Sequence, residues 1–163
     1  MTFVLEVKLF TAAPIPAGPG FLATITGQTV NENGQSIETS TTVLFSGPTR
    51  VRITSADSTT ILAGGLSISD GGSRIVTFSV SDIDGKPIMG GSTIKVTSDV
   101  ARVSGDADVV MPDVRSGSTD FAIAVGDPSP REDPPLSPQP GFVLVRIQSL
   151  NGNVLLTFGV TVD

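Results

Sequence analysis

Carboxylates are the side chains of this sequence most able to do chemistry, and they gather where turns are expected. Asp82 with Asp84, and Asp106 with Asp108, are pairs two residues apart; Asp113, Asp127, Glu132 and Asp133 follow. Hard oxygen donors on converging loops are the ligand type that Ca²⁺ takes, which makes Asp82, Asp84, Asp106 and Asp108 the candidate metal residues. No twelve-residue EF-hand loop or nonapeptide repeat accompanies them, so solvated turn carboxylates, with no cofactor, are the simpler expectation. Lys8 and Lys95 are a second candidate, because a strand lysine beside an amide or acid and a second carboxylate can form an intramolecular amide bond. Strand parity sets Lys8 opposite Leu5 and Val7, and Lys95 opposite Ile94 and Val96, which reads as solubilising charge on an outer face.

Catalysis has little to work with. The chain of 163 residues holds no His, Cys, Trp or Tyr, which removes the commonest general base, thiol nucleophiles, Cys/His zinc sites and disulfides. A serine nucleophile needs a positioned base, and no imidazole is present. No enzyme activity is expected, and no catalytic residue is assigned. Ten basic against sixteen acidic residues give a net charge of −6, the wrong sign for a nucleic-acid binder. No apolar run approaches the length of a membrane helix, so no membrane insertion is expected.

The elements that would carry these side chains are strands. The sequence is 39% hydrophobic and only 16% charged, with 18 Gly and 12 Pro, a composition of short strands between turns. Period-two alternation predicts strands over 2–10, 21–30, 36–46, 50–55, 73–81, 92–98, 107–111, 119–125, 141–149 and 153–162. Asn33-Gly34, Asp84-Gly85 and Asn151-Gly152 mark tight turns, and Gly47-Pro48 ends the third strand. The shared parity of Val76, Phe78, Val80, Ile94, Val96, Phe121, Ile123, Val143, Val145, Ile147, Leu156 and Phe158 predicts one core between two sheets.

An internal repeat organises the chain. TFVLEVKLF, a Pro-rich loop, PGFLATIT, an Asn-Gly turn and STTVLFSG parallel TDFAIAV, a Pro-rich loop, PGFVLVRI, an Asn-Gly turn and VLLTFGVTV, with Gly20 matching Gly141. The second copy forms the last three strands of a sandwich. The opening residues therefore read as the last three strands of a preceding one. The two Pro-rich stretches, 11–20 and 127–140, read as stiff loops crossing one end of a sandwich, with recognition as polyproline segments the alternative.

The run VTFSVSDIDGKPIMGGSTIKVTSD, with Asp82, Gly85, Pro87, Gly90 and Gly91 at its turns, resembles the immunoglobulin-like repeats of bacterial invasin- and intimin-type surface proteins. The likeness extends less sharply over 44–163. The resemblance implies an exported, non-enzymatic cell-surface or filament component built of stacked sandwiches. The long loop over 127–140 departs from the pattern.

Together these readings predict an all-β chain: an antiparallel immunoglobulin-like β-sandwich over 47–163, preceded over 1–46 by a three-stranded partial sandwich. Such a fragment leaves an apolar face, carried by Phe3, Leu5, Val7, Leu9, Val43 and Phe45, which another element must cover. The candidates are the complete domain folding back, a second copy, or strands donated by another polypeptide. The expected function is an extracellular structural or assembly module that associates through its N-terminal strands by β-strand complementation. An adhesin-type module for a carbohydrate or receptor and a phage virion sandwich are the rival expectations. If the protein is exported, its signal is expected upstream of Met1 or to have been replaced by it.

Overall fold

Alternating Val, Ile, Phe and Thr favour a pleated strand with one buried and one solvated side, and the turn residues between them decide where each strand reverses. A computed structural model of the protein, described here over residues 21–55, 57–113, 119–129 and 137–163, has that organisation. Two ten-residue strands, β1 (Phe21–Val30) and β2 (Ser36–Phe45), form an antiparallel two-stranded sheet. Nine further strands follow: β3 (Arg50–Ile53), β4 (Leu66–Ile68), β5 (Ser73–Ser81), β6 (Thr93–Ser98), β7 (Arg102–Gly105), β8 (Asp108–Val110), β9 (Asp120–Gly126), β10 (Gln139–Gln148) and β11 (Val154–Val162). A short helix, α1 (Ser58–Gly64), lies between β3 and β4.

The nine strands make two sheets, one ordered β3-β5-β9-β7 and the other β4-β11-β10-β6-β8. Their inner residues share one core: Val76, Phe78, Val80, Phe121, Ile123 and Val125 from the first sheet, and Ile94, Val96, Val143, Val145, Ile147, Phe158, Val160 and Val162 from the second. Phe78 and Phe121, directly paired in register, stack with ring centroids 5.7 Å apart. Of the residues assigned to the core from parity, all but Leu156 are buried, and Leu156 is partly buried against the same cluster. This is the expected all-β sandwich.

Three elements depart from the sequence reading. The helix was missed because seven residues with one buried side chain, Ile61, give no amphipathic period. Strand β4 pairs with β11 in parallel, against an expectation of antiparallel pairing throughout; three residues are too few for alternation to announce. Strand β7 has the single half-buried apolar residue Val103. Gly65 ends α1 at φ +82°, and a Cβ there would meet the Gly159 carbonyl oxygen at 3.0 Å, so only glycine lets the helix end lie against β11.

Strand directions give the sandwich two poles. Register places Arg50 beside Ser81, and Ile147 beside Ile94 and Val154, at one end. Ser73 pairs with Gly126 at the other, where the Asp163 N–H donates to the Ile68 carbonyl. The chain enters at the first pole, at Ser46 and Gly47, and β11 ends at the second. Strand β9 ends at that second pole and β10 begins there, in opposite sheets.

Candidate functional site

The β1–β2 hairpin is built around Asn31. Its side-chain Oδ1 accepts from the N–H groups of Asn33 (3.0 Å) and Gln35 (2.8 Å), the Gly34 N–H donates to the Asn31 carbonyl at 3.0 Å, and Gly34 sits at φ +76°. These bonds fix the reversal and hence a register running from Val30↔Ser36 to Phe21↔Phe45. Ile25, Ile37, Val43 and Phe45 share one face; Thr24, Thr26, Val30, Glu38, Ser40 and Thr42 share the other. Ile25, Val43 and Phe45 are half-buried, and Ile37 is 51% exposed. The expected interface residues Val43 and Phe45 are thus brought together. Phe3, Leu5, Val7 and Leu9 lie outside the described residues, as does Lys8.

The two Asn-Gly hairpins share topology but not parity. Aligning their Pro-Gly-Phe entries sets Thr24 and Thr26 on the positions of Val145 and Ile147, which face the sandwich core, and Ile25 on the position of Arg146, which faces solvent. The apolar side of β1–β2 is the side that its counterpart turns outward.

Edges differ as sharply. The four edge strands of the sandwich, β3, β4, β7 and β8, are three or four residues long. Short edges offer few unpaired backbone groups to another chain. Among the described residues, β1 and β2 pair only with each other, and each runs for ten residues.

The acidic candidates are dispersed. Asp82 is fully buried; its Oδ1 accepts from the Asp84 and Lys86 N–H groups at 2.9 and 2.8 Å, and its Oδ2 from the Gly47 N–H at 3.2 Å. Asp84 is exposed in the same turn. Asp106 accepts from the Ala122 N–H at 2.9 Å, and Asp108 is exposed opposite Lys95 in register. No group of three or more potential ligands is assembled among the described residues. Asp113 is exposed; Glu132 and Asp133 lie outside the described residues.

At the second pole a cleft of about 100 Å³ gathers Asp70, Asp127, Asp163, Val100 and Gln139. The Asp127 carboxylate accepts from the Gly71 N–H at 2.9 Å and the Ser129 N–H at 2.8 Å. Those two bonds, Gly71 first, hold it below the ordinary carboxylate value of 3.8, against a small opposing effect of burial.

The sequence also carries the spacing Ser92-x-x-Lys95, which on a helix would bring a hydroxyl and an amine together. Here it runs into β6, so Ser92 is buried and Lys95 exposed on the other side. Lys95 is the outer-face charge expected from parity. No helix among the described residues is long and apolar enough to cross a membrane.

No family model matches the chain, the repeats of invasin- and intimin-type proteins included, and no curated protein matches it. Among solved structures, the chain is similar to domains 4 and 5 of the S-layer protein SbsC, at 12% identity and a TM-score of 0.44, covering 93% of this chain and 74% of that one. It is also similar to SbsC domains 1–6 (12% identity, TM-score 0.45, 93% of this chain and 21% of that one). A structure of SbsC domains 4–9 is similar at 12% identity and a TM-score of 0.44, over 94% of this chain and 23% of that one. Against the two longer structures the chain therefore spans about a fifth of the length. At this level of likeness, function has to be argued from the chain's own residues.

Proposed function

We propose that this chain is a non-enzymatic structural module of an extracellular or cell-surface assembly. In this reading residues 47–163 act as a spacer, and residues 1–46 form a partial sandwich that associates by β-strand complementation with a second copy or another polypeptide. The observation that carries the reading is the contrast in edges: ten-residue strands in the hairpin, three- and four-residue edges in the sandwich. A long strand edge is a template for another strand, and pairing supplies backbone hydrogen bonds while alternate side chains choose the partner. The spacer part rests on the two poles, since a sandwich entered at one end and left at the other adds length to a string of modules.

The reading needs no metal or cofactor, and it assigns the turn carboxylates to backbone N–H groups and solvent. Its test is the mass in solution of the full chain beside a truncated chain beginning at Ser46. The full chain should oligomerise, the truncated chain should be a monomer of unchanged melting temperature, and Val43→Glu should dissociate the full chain. A monomeric full chain together with a destabilised truncated chain would mean that the hairpin completes the sandwich within one molecule, and the assembly reading would fall.

A further inference from the structure

The connection between β2 and β3 is held by two separate turns at the entry pole. Ser46 is 7% exposed; its Oγ donates to the Pro87 carbonyl at 2.8 Å, and its own carbonyl accepts from the Asn151 side-chain amide at 2.8 Å. The next residue, Gly47, donates its N–H to the Asp82 carboxylate. Asp82 and Pro87 belong to the turn between β5 and β6, Asn151 to the turn between β10 and β11. A buried carboxylate must have its lone pairs occupied, because an unpaired charge away from water is costly. The Asp82 turn supplies two of its three donors; the third comes from the connection, 35 residues earlier in the chain.

We propose that Asp82, Pro87 and Asn151 form a socket that clasps Ser46 and Gly47, so that the β1–β2 hairpin leaves the sandwich in one fixed direction. The two modules are thereby a joint of set angle and not beads on a free tether. The geometry suits this role because Gly47 and Ser46 are tied by main-chain groups as well as by the serine hydroxyl, so the peptide plane itself is oriented. The inference goes beyond the assembly reading: the joint is set within one chain and stands whether or not the hairpin meets a partner.

Asp82→Asn separates the socket from the turn. The asparagine Oδ1 can still accept from Asp84 and Lys86, keeping the turn. Its Nδ2 then faces the Gly47 N–H, donor against donor, and the clasp opens. In the full chain, amide exchange at Gly47 should accelerate about tenfold or more while Asp84 and Lys86 keep their protection, as expected for loss of a charged hydrogen bond. Residual dipolar couplings should show the hairpin orientation spreading relative to the sandwich. Unchanged Gly47 exchange and orientation would overturn the proposal. Equal loss of protection at Asp84, Lys86 and Gly47 would overturn it too, because Asp82 would then serve the turn alone. Should Asp82→Asn fail to fold, Ser46→Ala with Asn151→Ala leaves the buried carboxylate intact and gives the same reading: faster Gly47 exchange supports the socket, and unchanged exchange refutes it.

Discussion

The two Asn-Gly hairpins of this chain, β1–β2 and β10–β11, are written in the same local code and meet different fates. Each has ten or nine residues per strand and a turn with glycine at positive φ, Gly34 in one and Gly152 in the other. In β10–β11 the inward positions Val143, Val145, Ile147, Phe158, Val160 and Val162 are buried beneath the opposite sheet, and Val154 and Leu156 pack against the same core half-buried. The positions matching Val145 and Ile147 in β1–β2 hold Thr24 and Thr26, both exposed. Turn chemistry makes a hairpin; the parity of its apolar residues decides whether it enters a core. Burying one Val, Leu, Ile or Phe contributes about 1.5–3 kcal/mol, so a few positions outweigh any difference in turn quality.

The comparison is most exposed to substitutions at matched positions. Ile147→Ala should cost the sandwich about 2–5 kcal/mol through the cavity left behind, and Phe78→Ala about 3–5 kcal/mol. Thr26→Ala, at the position matching Ile147, should change sandwich stability by less than about 0.5 kcal/mol. Urea titrations of the three variants read this directly, and equal losses at Ile147 and Thr26 would mean that the hairpins share one core.

The turns give a smaller contrast. Gly152→Ala should cost about 1–2 kcal/mol, since an L-residue is strained at positive φ. Gly34→Ala carries the same local strain, yet it should leave the sandwich melting transition in place and instead speed amide exchange in β1 and β2. A shift of the sandwich transition by Gly34→Ala would show the two hairpins to be energetically coupled.

Acid should act on Asp127 at the second pole. Asp127 has its folded value depressed below 3.8 by the Gly71 and Ser129 N–H groups. A depressed carboxylate stabilises the fold fully above its unfolded value, and that contribution is lost as pH falls through the lower folded value. Asp127→Asn should therefore lower the melting temperature modestly near neutrality and flatten the acid limb below about pH 4, where variant and parent converge. An unaltered limb would remove Asp127 from the account. Smallest of all, Lys95→Ala should stay within about 0.5 kcal/mol of the parent protein, because its side chain faces water from the outer side of β6.

Val43 and Phe45 were legible as one apolar face because strand parity is a local property of the chain. Asp82 was legible only as a turn carboxylate or a metal candidate: its third donor, Gly47, reaches it through tertiary contact, and nothing local to either residue announces the other. The Asn151-Gly152 pair signalled a turn correctly, while the grip of Asn151 on the Ser46 carbonyl across the entry pole carried no signal in sequence. The short SGPT segment was visible as a strand break, without its partners.

The sequence by itself determined the longer strands, their inward and outward parity, the Asn-Gly and Asp-Gly turns and the all-β class, because alternation and turn chemistry act over a few residues. Tertiary structure decided what depends on distant neighbours. It set the pairing of β4 in parallel with β11, the lodging of Ile61 of α1 in the core, and the placement of β9 and β10 in opposite sheets. It also closed the socket around Ser46 and Gly47. In each case the deciding energy comes from apolar area and buried polar groups shared between segments far apart in the chain, and no local window contains both partners.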